Sequence, residues 1–166
     1  IFLDFQKRSL LKDHLLLFFT GISRSASSVL GEQRDKIYSN IETYKKMSDS
    51  VLEFKEKLLA GDMRAIANML YRGWEQKKSL ASKISNSVID DLFVAGLKAG
   101  AWGGKILGAG GGGCLLFVAP PNTHDQISKS LQELTRRYAL SDSKIIPFTF
   151  TEAGTDVLFN IYQSEA

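Results

Sequence analysis

The stretch GAGGGGC, residues 108–114, is the part of the sequence best suited to chemistry through its backbone. It places a run of small residues directly before the only cysteine of the chain: Gly108, Ala109, Gly110, Gly111, Gly112 and Gly113. In a strand-loop-strand turn, such residues let amide N–H groups crowd towards an anion such as a phosphate. The alternative is a glycine-rich turn without a ligand, which the spacing taken alone favours.

Two well-known phosphate motifs are excluded by the residues around this run. Gly108, Gly110 and Gly113 satisfy the dinucleotide pattern G-x-G-x-x-G, but that pattern needs a helix directly after it to hold the pyrophosphate. Here CLLFVAPP follows, which is typical of a strand ended by prolines. A Walker A loop needs Gly-Lys-Ser/Thr, and the chain has Gly-Gly-Cys instead.

A second candidate site is TGISRSAS, residues 20–27, at a predicted junction of strand and helix. An arginine can bind an oxyanion through two hydrogen bonds, and helix N-terminal amides attract the same charge. The candidate residues for binding a phosphate or sugar hydroxyls are Thr20, Gly21, Ser23, Arg24 and Ser25. The alternative is that Ser23 or Ser25 caps the helix while Arg24 extends into solvent.

Two further residues near the glycine run are weaker candidates. Lys105 could reach a phosphate as a point charge, although a solvated lysine is favoured. Trp102 could form a wall of a sugar site or simply pack over the glycines. Cys114 is expected to pack as a small apolar residue, and His14 and His124 do not suggest acid-base chemistry. We predict no catalytic residue and no metal ligand in this chain.

The elements that must position these residues begin with a predicted hairpin. Alternating apolar residues over 1–6 and the run HLLLFFT over 14–20 predict two strands. A seven-residue apolar repeat then predicts one long helix over about 25–60, and a second helix is predicted over 63–83 with EQKKS on a solvated face. A capping box at Ser87 and Asp90 predicts a third helix, and residues 99–104 are expected to form a loop.

The last part of the chain predicts a buried strand over 114–119 and a fourth helix that starts at a Thr123/Gln126 capping box. A strand over 144–150 is expected at the edge of the sheet because of Pro147, with a continuation over 155–160. The order of elements predicts an α+β fold, a mainly antiparallel sheet with helices on one face.

Composition limits the class of protein. The chain has 166 residues, 44% of them hydrophobic, and a net charge of +3 from scattered basic residues, so nucleic-acid binding is not implied. One cysteine excludes an internal disulfide, and no apolar run is long enough to cross a membrane. A cytoplasmic protein is expected. Because the chain starts without methionine inside an alternating apolar pattern, we expect a fragment of something longer.

The segment KILGAGGGGCLLFV, residues 105–118, resembles the C-terminal motif of the galactokinase, homoserine kinase, mevalonate kinase and phosphomevalonate kinase superfamily. That motif is a glycine-rich loop between a helix and a strand. DHLLLFFTGISRSAS (13–27) and AGAWGGKILGAGGGGC (99–114) are similar to the branch that phosphorylates D-glycero-D-manno-heptose phosphates. The resemblance covers essentially the whole chain.

The resemblance implies the ferredoxin-like C-terminal domain of an ATP-dependent kinase, a transferase of carbohydrate metabolism. Its acceptor would be a sugar phosphate such as D-glycero-D-manno-heptose 7-phosphate or 1-phosphate, with mevalonate, galactose or fucose as alternatives. In such kinases the glycine loop lies against the phosphate-binding loop and the substrate. ATP and Mg²⁺ are held mainly by an N-terminal domain, whose P-x-x-x-G-L-G-S-S-A motif does not occur in residues 1–166. We therefore expect this chain alone to lack kinase activity.

A hypothesis of another class is a noncatalytic interaction domain, in which the long helix predicted over 25–60 pairs with another chain. Its charges are irregular, and Tyr44 fits a coiled-coil core poorly. Packing in the protein's own core is therefore the favoured use of this helix. The oligomeric state is left open, with a homodimer among the expectations.

Overall fold

The computed structural model describes residues 2–151. The helices and strands of that part are, in chain order, α1 Phe5–His14, β1 Leu15–Phe19, α2 Ala26–Asp35, α3 Ile41–Ala60, α4 Met63–Lys78, α5 Ser87–Lys98, β2 Gly103–Ile106, β3 Cys114–Val118, α6 His124–Arg137 and β4 Lys144–Ile145. Short 3₁₀ turns lie at Tyr38–Asn40, Ser82–Ile84 and Pro121–Thr123.

The four strands form one antiparallel sheet in the order β2-β3-β1-β4. After α1, the chain order is one strand, four helices, two strands, one helix and one strand, and β3 lies in the sheet between β2 and β1. This arrangement is the ferredoxin-like fold. The predicted α+β class, with an antiparallel sheet and helices packed on it, is confirmed.

The core lies between the sheet and the helices. Successive side chains of a strand point to opposite faces, and the fully buried residues Leu16, Phe18, Leu115 and Phe117 share one face in register. They join one apolar cluster with residues of α4, α5 and α6, which include Trp74, Leu92, Phe93, Ile127 and Leu131. Alternate residues of the same strands, such as Leu17 and Leu116, are only half-buried.

The strand β2 is the part of the core where glycine is required for packing. A Cβ added to Gly103 would lie 2.2 Å from the carbonyl oxygen of Ala67, so α4 rests directly on the backbone of this strand. The predicted loop over 99–104 is therefore wrong at its end, because Gly103 and Gly104 already pair with β3. The sequence did not indicate this strand, since glycine has a low strand propensity.

The predicted opening hairpin is wrong in its first half. Residues 5–14 form helix α1, which begins after Asp4, whose carboxylate accepts a hydrogen bond from the N–H of Lys7 at 2.8 Å. The second predicted strand is confirmed as β1. The alternation over 1–6 covered too few residues to outweigh a helix N-cap.

The long helix predicted over 25–60 is divided into α2 and α3 by a turn at Tyr38–Asn40. The side-chain amide of Asn40 donates a hydrogen bond to the carbonyl of Leu80 at 3.1 Å, which ties the break to the rest of the domain. The break interrupts the continuous heptad repeat on which the interaction-domain hypothesis rested. The second predicted helix ends at Lys78 rather than at residue 83.

Both predicted capping boxes are corrected. The N-cap of α5 is Asn86, which accepts a hydrogen bond from the N–H of Ile89 at 3.0 Å. Thr123 is the N-cap of α6, but its hydroxyl donates to the carbonyl of Pro120 instead of capping.

The strand predicted over 144–150 is confirmed only at Lys144–Ile145, which does form a sheet edge. The predicted continuation over 155–160 lies outside the described residues. No helix of the described part is both long and apolar enough to span a bilayer.

Candidate functional site

The glycine run forms the loop of the β2-β3 hairpin, residues 107–113. The hairpin closes with a hydrogen bond from the N–H of Leu107 to the carbonyl of Cys114 at 2.8 Å. The loop thus connects two strands, as the strand-loop-strand interpretation predicts, and not a helix and a strand. Gly110 and Gly111 have φ of 103° and 76°, values that L-residues with a side chain rarely adopt.

Two backbone hydrogen bonds attach the loop to neighbouring segments. The N–H of Gly111 donates to the carbonyl of Ile84 at 2.7 Å, and the N–H of Gly113 donates to the carbonyl of Ile22 at 2.9 Å. A Cβ on Gly110 would lie 2.5 Å from the same Ile84 oxygen. These two amides are therefore used inside the protein, and an anion at this loop would need other amides and side chains.

Thr20 fixes the glycine loop through hydrogen bonds to its backbone. Its side chain is fully buried, its hydroxyl donates to the carbonyl of Gly113 at 2.8 Å, and its N–H donates to the same oxygen at 2.9 Å. The hydroxyl also accepts a hydrogen bond from the N–H of Ile22 at 3.2 Å. Thr20 thus fixes the position of the loop, and its hydroxyl faces protein rather than an incoming ligand.

Arg24 lies over the loop at the start of α2. A Cβ added to Gly111 would be 2.5 Å from Nη1 of Arg24, so the guanidinium rests on bare backbone. Arg24 and Ser23 are exposed and, together with Ala109 and Gly112, line a concavity of about 280 Å³. An exposed guanidinium beside glycine backbone can donate two parallel hydrogen bonds to a phosphate.

The hydroxyls after Arg24 do not cap α2. Ser25 occupies the N-cap position without a side-chain hydrogen bond to the helix. Instead, the hydroxyls of Ser25 and Ser27 are 2.6 Å apart at the surface. The predicted capping by Ser25 is therefore wrong, and its hydroxyl stays at the exposed helix start.

Lys77 is the site residue that the sequence interpretation missed. Its ammonium donates a hydrogen bond to the carbonyl of Gly108, so the segment EQKKS is not simply a solvated face. Burial lowers the pKa of Lys77, and the positive charge of Lys105 lowers it further. Helical spacing could have found this residue, because position 77 continues the inward stripe of Leu70 and Trp74. The next residue, Lys78, pairs with Glu75 at 2.8 Å.

The predicted site residues do not all come together. Lys105 is half-buried on β2 and close to Lys77. Trp102 lies at the opposite end of β2 from the loop. There its backbone N–H donates to the carbonyl of Val118, and the guanidinium of Arg64 is 4.9 Å from the centroid of its ring. Gly21 faces the segment 140–143, because a Cβ there would be 3.1 Å from the N of Ser143. The site as built contains neither Trp102 nor Gly21.

The described residues do not supply a metal centre or an evident nucleophile. Within residues 2–151, no three His, Cys, Asp or Glu side chains converge in a way that could hold a metal ion. Burial raises the pKa of the Cys114 thiol, which disfavours the reactive thiolate. The site is instead a glycine loop that contacts two cationic side chains, Arg24 at Gly111 and Lys77 at Gly108.

Sequence comparisons with known proteins all match kinases. The family model described as "GHMP kinases C terminal" matches residues 54–137. The chain is 26% identical over 146 residues to the D-glycero-alpha-D-manno-heptose 7-phosphate kinase of Campylobacter jejuni, and this covers 87% of the chain and 41% of that protein. It is 31% identical over 127 residues to the L-fucokinase/L-fucose-1-P guanylyltransferase of Bacteroides fragilis, which covers 74% of the chain and 13% of that protein.

A solved structure shows the same fold. The D-glycero-D-manno-heptose 1-phosphate kinase of Bacteroides thetaiotaomicron superposes with a TM-score of 0.59 at 23% identity, over 90% of this chain and 37% of that one. The chain thus spans less than half the length of these relatives. With the family model covering half of its residues, the chain belongs to the GHMP kinases and carries their C-terminal domain.

Proposed function

We propose that this chain is the C-terminal part of a cytoplasmic ATP-dependent kinase that phosphorylates a sugar phosphate, D-glycero-D-manno-heptose 7-phosphate or 1-phosphate. The observation that carries the proposal is the glycine loop in contact with two cationic groups, the Arg24 guanidinium at Gly111 and the Lys77 ammonium at Gly108. The heptose acceptor is supported by the names of the relatives from Campylobacter and Bacteroides.

In the proposed reaction, a hydroxyl oxygen of the acceptor bonds to the γ-phosphorus of ATP. The bond from that phosphorus to the β-γ bridging oxygen breaks, and ADP leaves with the electron pair. The hydroxyl proton passes to a base that we place in the N-terminal domain. Catalysis of this transfer depends on positioning and on neutralising phosphoryl charge. Arg24 would supply positive charge at the loop, and the glycines would admit the reactants close to the backbone.

ATP and Mg²⁺ would be bound mainly by the N-terminal domain, since residues 2–151 offer no cluster of carboxylates or histidines for a metal. When bound, Mg²⁺ would neutralise charge on the phosphates. The residues of this chain would then orient the acceptor and exclude water. Binding of ATP by another domain and of the acceptor by this one is consistent with a chain that spans 41% of its Campylobacter relative.

A second acceptor class is supported by one specific observation. The relative named as a fucokinase is 31% identical over 127 residues. Fucose carries no phosphate, so it differs from heptose phosphates in charge. A comparison of phosphorylated and unphosphorylated acceptors therefore separates the two candidates.

The test is an assay of ADP formation by the complete gene product and by residues 1–166 alone. Acceptors would be heptose 7-phosphate, heptose 1-phosphate, fucose, galactose and mevalonate. We expect turnover of a heptose phosphate by the complete protein and none by residues 1–166. Preference for fucose, galactose or mevalonate would refute the heptose assignment, and equal turnover by the short chain would refute its dependence on a second domain.

A further inference from the structure

A groove separate from the Arg24 concavity runs between α3, α4 and β2 and has a volume of about 250 Å³. Among residues 2–151, the charged side chains that line it are Lys77 and Lys105. The rest of its wall is largely apolar, with Met47, Val51, Phe54, Met69 and Leu70. We call it the lysine groove. A largely apolar groove that also carries two ammonium groups matches a small molecule with one anionic group.

Neither lysine has a carboxylate partner among the residues that the structure describes. Lys77 donates to the Gly108 carbonyl, and an ammonium has three N–H donors, so further donors remain. Burial and the charge of Lys105 lower the pKa of Lys77, because both disfavour the charged form of its side chain. An anion bound between the two lysines would stabilise their charged forms and so offset the burial of Lys77 and its repulsion by Lys105.

We propose that Lys77 and Lys105 bind the phosphate group that the acceptor already carries, with its carbon skeleton along the apolar wall of the lysine groove. The assignment of this phosphate to the acceptor rests on the proposed function. It assigns Lys77 a role that the sequence did not suggest, and it places the acceptor phosphate in a groove whose lining does not include Arg24.

The size and position of the groove favour a sugar monophosphate over a nucleotide. Pockets that enclose drug-sized ligands begin at about 300 Å³, so a groove of about 250 Å³ suits a smaller molecule. Lys77 also joins the groove to the loop, because its ammonium holds the Gly108 carbonyl. A phosphate bound here is therefore coupled directly to the glycine loop where transfer would occur.

The test measures binding without catalysis. The complete protein, free of nucleotide, would be labelled briefly with an amine-acylating reagent, and modification of each lysine would be followed by mass spectrometry. Probes would be inorganic phosphate, heptose 7-phosphate, unphosphorylated mannose and ADP. We expect heptose 7-phosphate and phosphate to protect Lys77 while the neighbouring Lys78, paired with Glu75, is labelled as before. Protection by ADP alone, or by mannose as well as by the phosphates, would overturn the proposal.

Matched variants keep the proposal falsifiable. Lys105→Met should weaken heptose 7-phosphate binding about tenfold to a hundredfold, the effect of losing one charge-assisted hydrogen bond. Lys105→Arg should retain most of the affinity, and Lys129→Met, an exposed change on α6, should retain all of it. Melting curves would verify that each variant is folded. Unchanged affinity in a folded Lys105→Met protein would overturn the site.

The outcome is distinguishable from that of the proposed function. Phosphate-dependent protection of Lys77 in a protein that turns over no heptose phosphate would support the groove and refute the proposed acceptor. Turnover of heptose phosphate with no protection would refute the groove and leave the kinase assignment standing.

Discussion

The carboxylate of Glu32 on α2 accepts two hydrogen bonds from Ser82, one from its backbone N–H at 2.9 Å and one from its hydroxyl at 3.1 Å. Ser82 begins the 3₁₀ turn that ends at Ile84, whose carbonyl holds the N–H of Gly111. Through these contacts, the helix that follows Arg24 is connected to the glycine loop. Glu32 is therefore a positioning residue for both sides of the concavity.

Glu32 makes stability depend on pH in a defined range. Hydrogen bonds from Lys36 and from Ser82 lower its pKa from 4.5 to about 2. Because the folded state binds this proton more weakly than the unfolded state, the stabilisation is complete above the unfolded pKa of 4.5 and is lost as pH falls towards about 2. We expect Glu32→Gln to lower the melting temperature at neutral pH and to approach the wild type in acid.

The control for this measurement is Glu42→Gln, since Glu42 pairs with Lys45 at the surface with 72% of its side chain exposed. Such a pair contributes little, so its melting temperature should stay near that of the wild type throughout. A deficit in Glu32→Gln that is the same in acid as at neutral pH would contradict the assigned role of its charge.

Gly111 and Gly108 form a matched pair for testing the Arg24 contact. Their φ angles are 76° and 72°, and only at Gly111 would an added Cβ meet Arg24. Alanine at either position costs about 1 to 2 kcal/mol in backbone strain. We expect both variants of the complete enzyme to melt at similarly lowered temperatures, with kcat/KM falling about tenfold or more further in Gly111→Ala because Arg24 is displaced. Parallel losses of activity in the two variants would argue against a role for the contact.

Thr20→Val tests the anchor of the loop. Valine removes the hydroxyl that donates to Gly113 and accepts from Ile22, so the N–H of Ile22 loses this acceptor while the Gly113 carbonyl keeps the N–H of Thr20. We expect the free energy of unfolding to fall by about 1 to 3 kcal/mol, measured by urea denaturation. Thr20→Ser keeps both hydrogen bonds and should lose less. If serine were as destabilising as valine, the hydroxyl would not be the stabilising group.

Replacement by alanine should shift the melting temperature in opposite directions at two helical glycines. At Gly96 in α5, an added Cβ would lie 2.5 Å from the ring of Phe117, whereas at Gly31 in α2 nothing lies within 4 Å. Overpacking costs about 1 to 3 kcal/mol, and an unobstructed Gly→Ala change in a helix gains about 0.5 to 1 kcal/mol. Thermal melting should therefore show Gly96→Ala below and Gly31→Ala above the wild type. Equal shifts would indicate that α5 is not seated on the sheet.

Much of the fold could be predicted from local patterns. The apolar run ended by Pro120 gave β3, and the helical spacing of Ile127, Leu131 and Leu134 gave α6. The start of the chain could not be predicted this way, because Asp4 begins a helix where a few alternating residues suggested a strand. The break between α2 and α3 depends on a hydrogen bond between Asn40 and Leu80, and a contact over 40 residues leaves no local signal.

The site was predictable where backbone geometry determines residue type. The close approach of Arg24 to the glycine loop agrees with the residue types, because close approach requires glycine. The role of Arg24 in binding an oxyanion stays a prediction. Trp102 was assigned to the same site because the short strand of Gly103 and Gly104 was not recognised, and that strand separates the indole from the loop. Lys77 was missed because EQKKS was interpreted as a solvated face, although position 77 continues the inward stripe of Leu70 and Trp74. Its contact with the Gly108 carbonyl depends on packing between α4 and the loop.

The hydrogen bond between Thr20 and Gly113 joins residues 93 positions apart, which has a consequence for the order of folding. Contacts of such long range require closure of a large chain loop and form only after the intervening segments have organised. A nascent chain that has emerged only as far as α5 contains Arg24 but not the loop beneath it. The proposed phosphate-binding surface would therefore form only after β3 has left the ribosome and paired with β1, and we expect partly synthesised chains not to bind phosphate there.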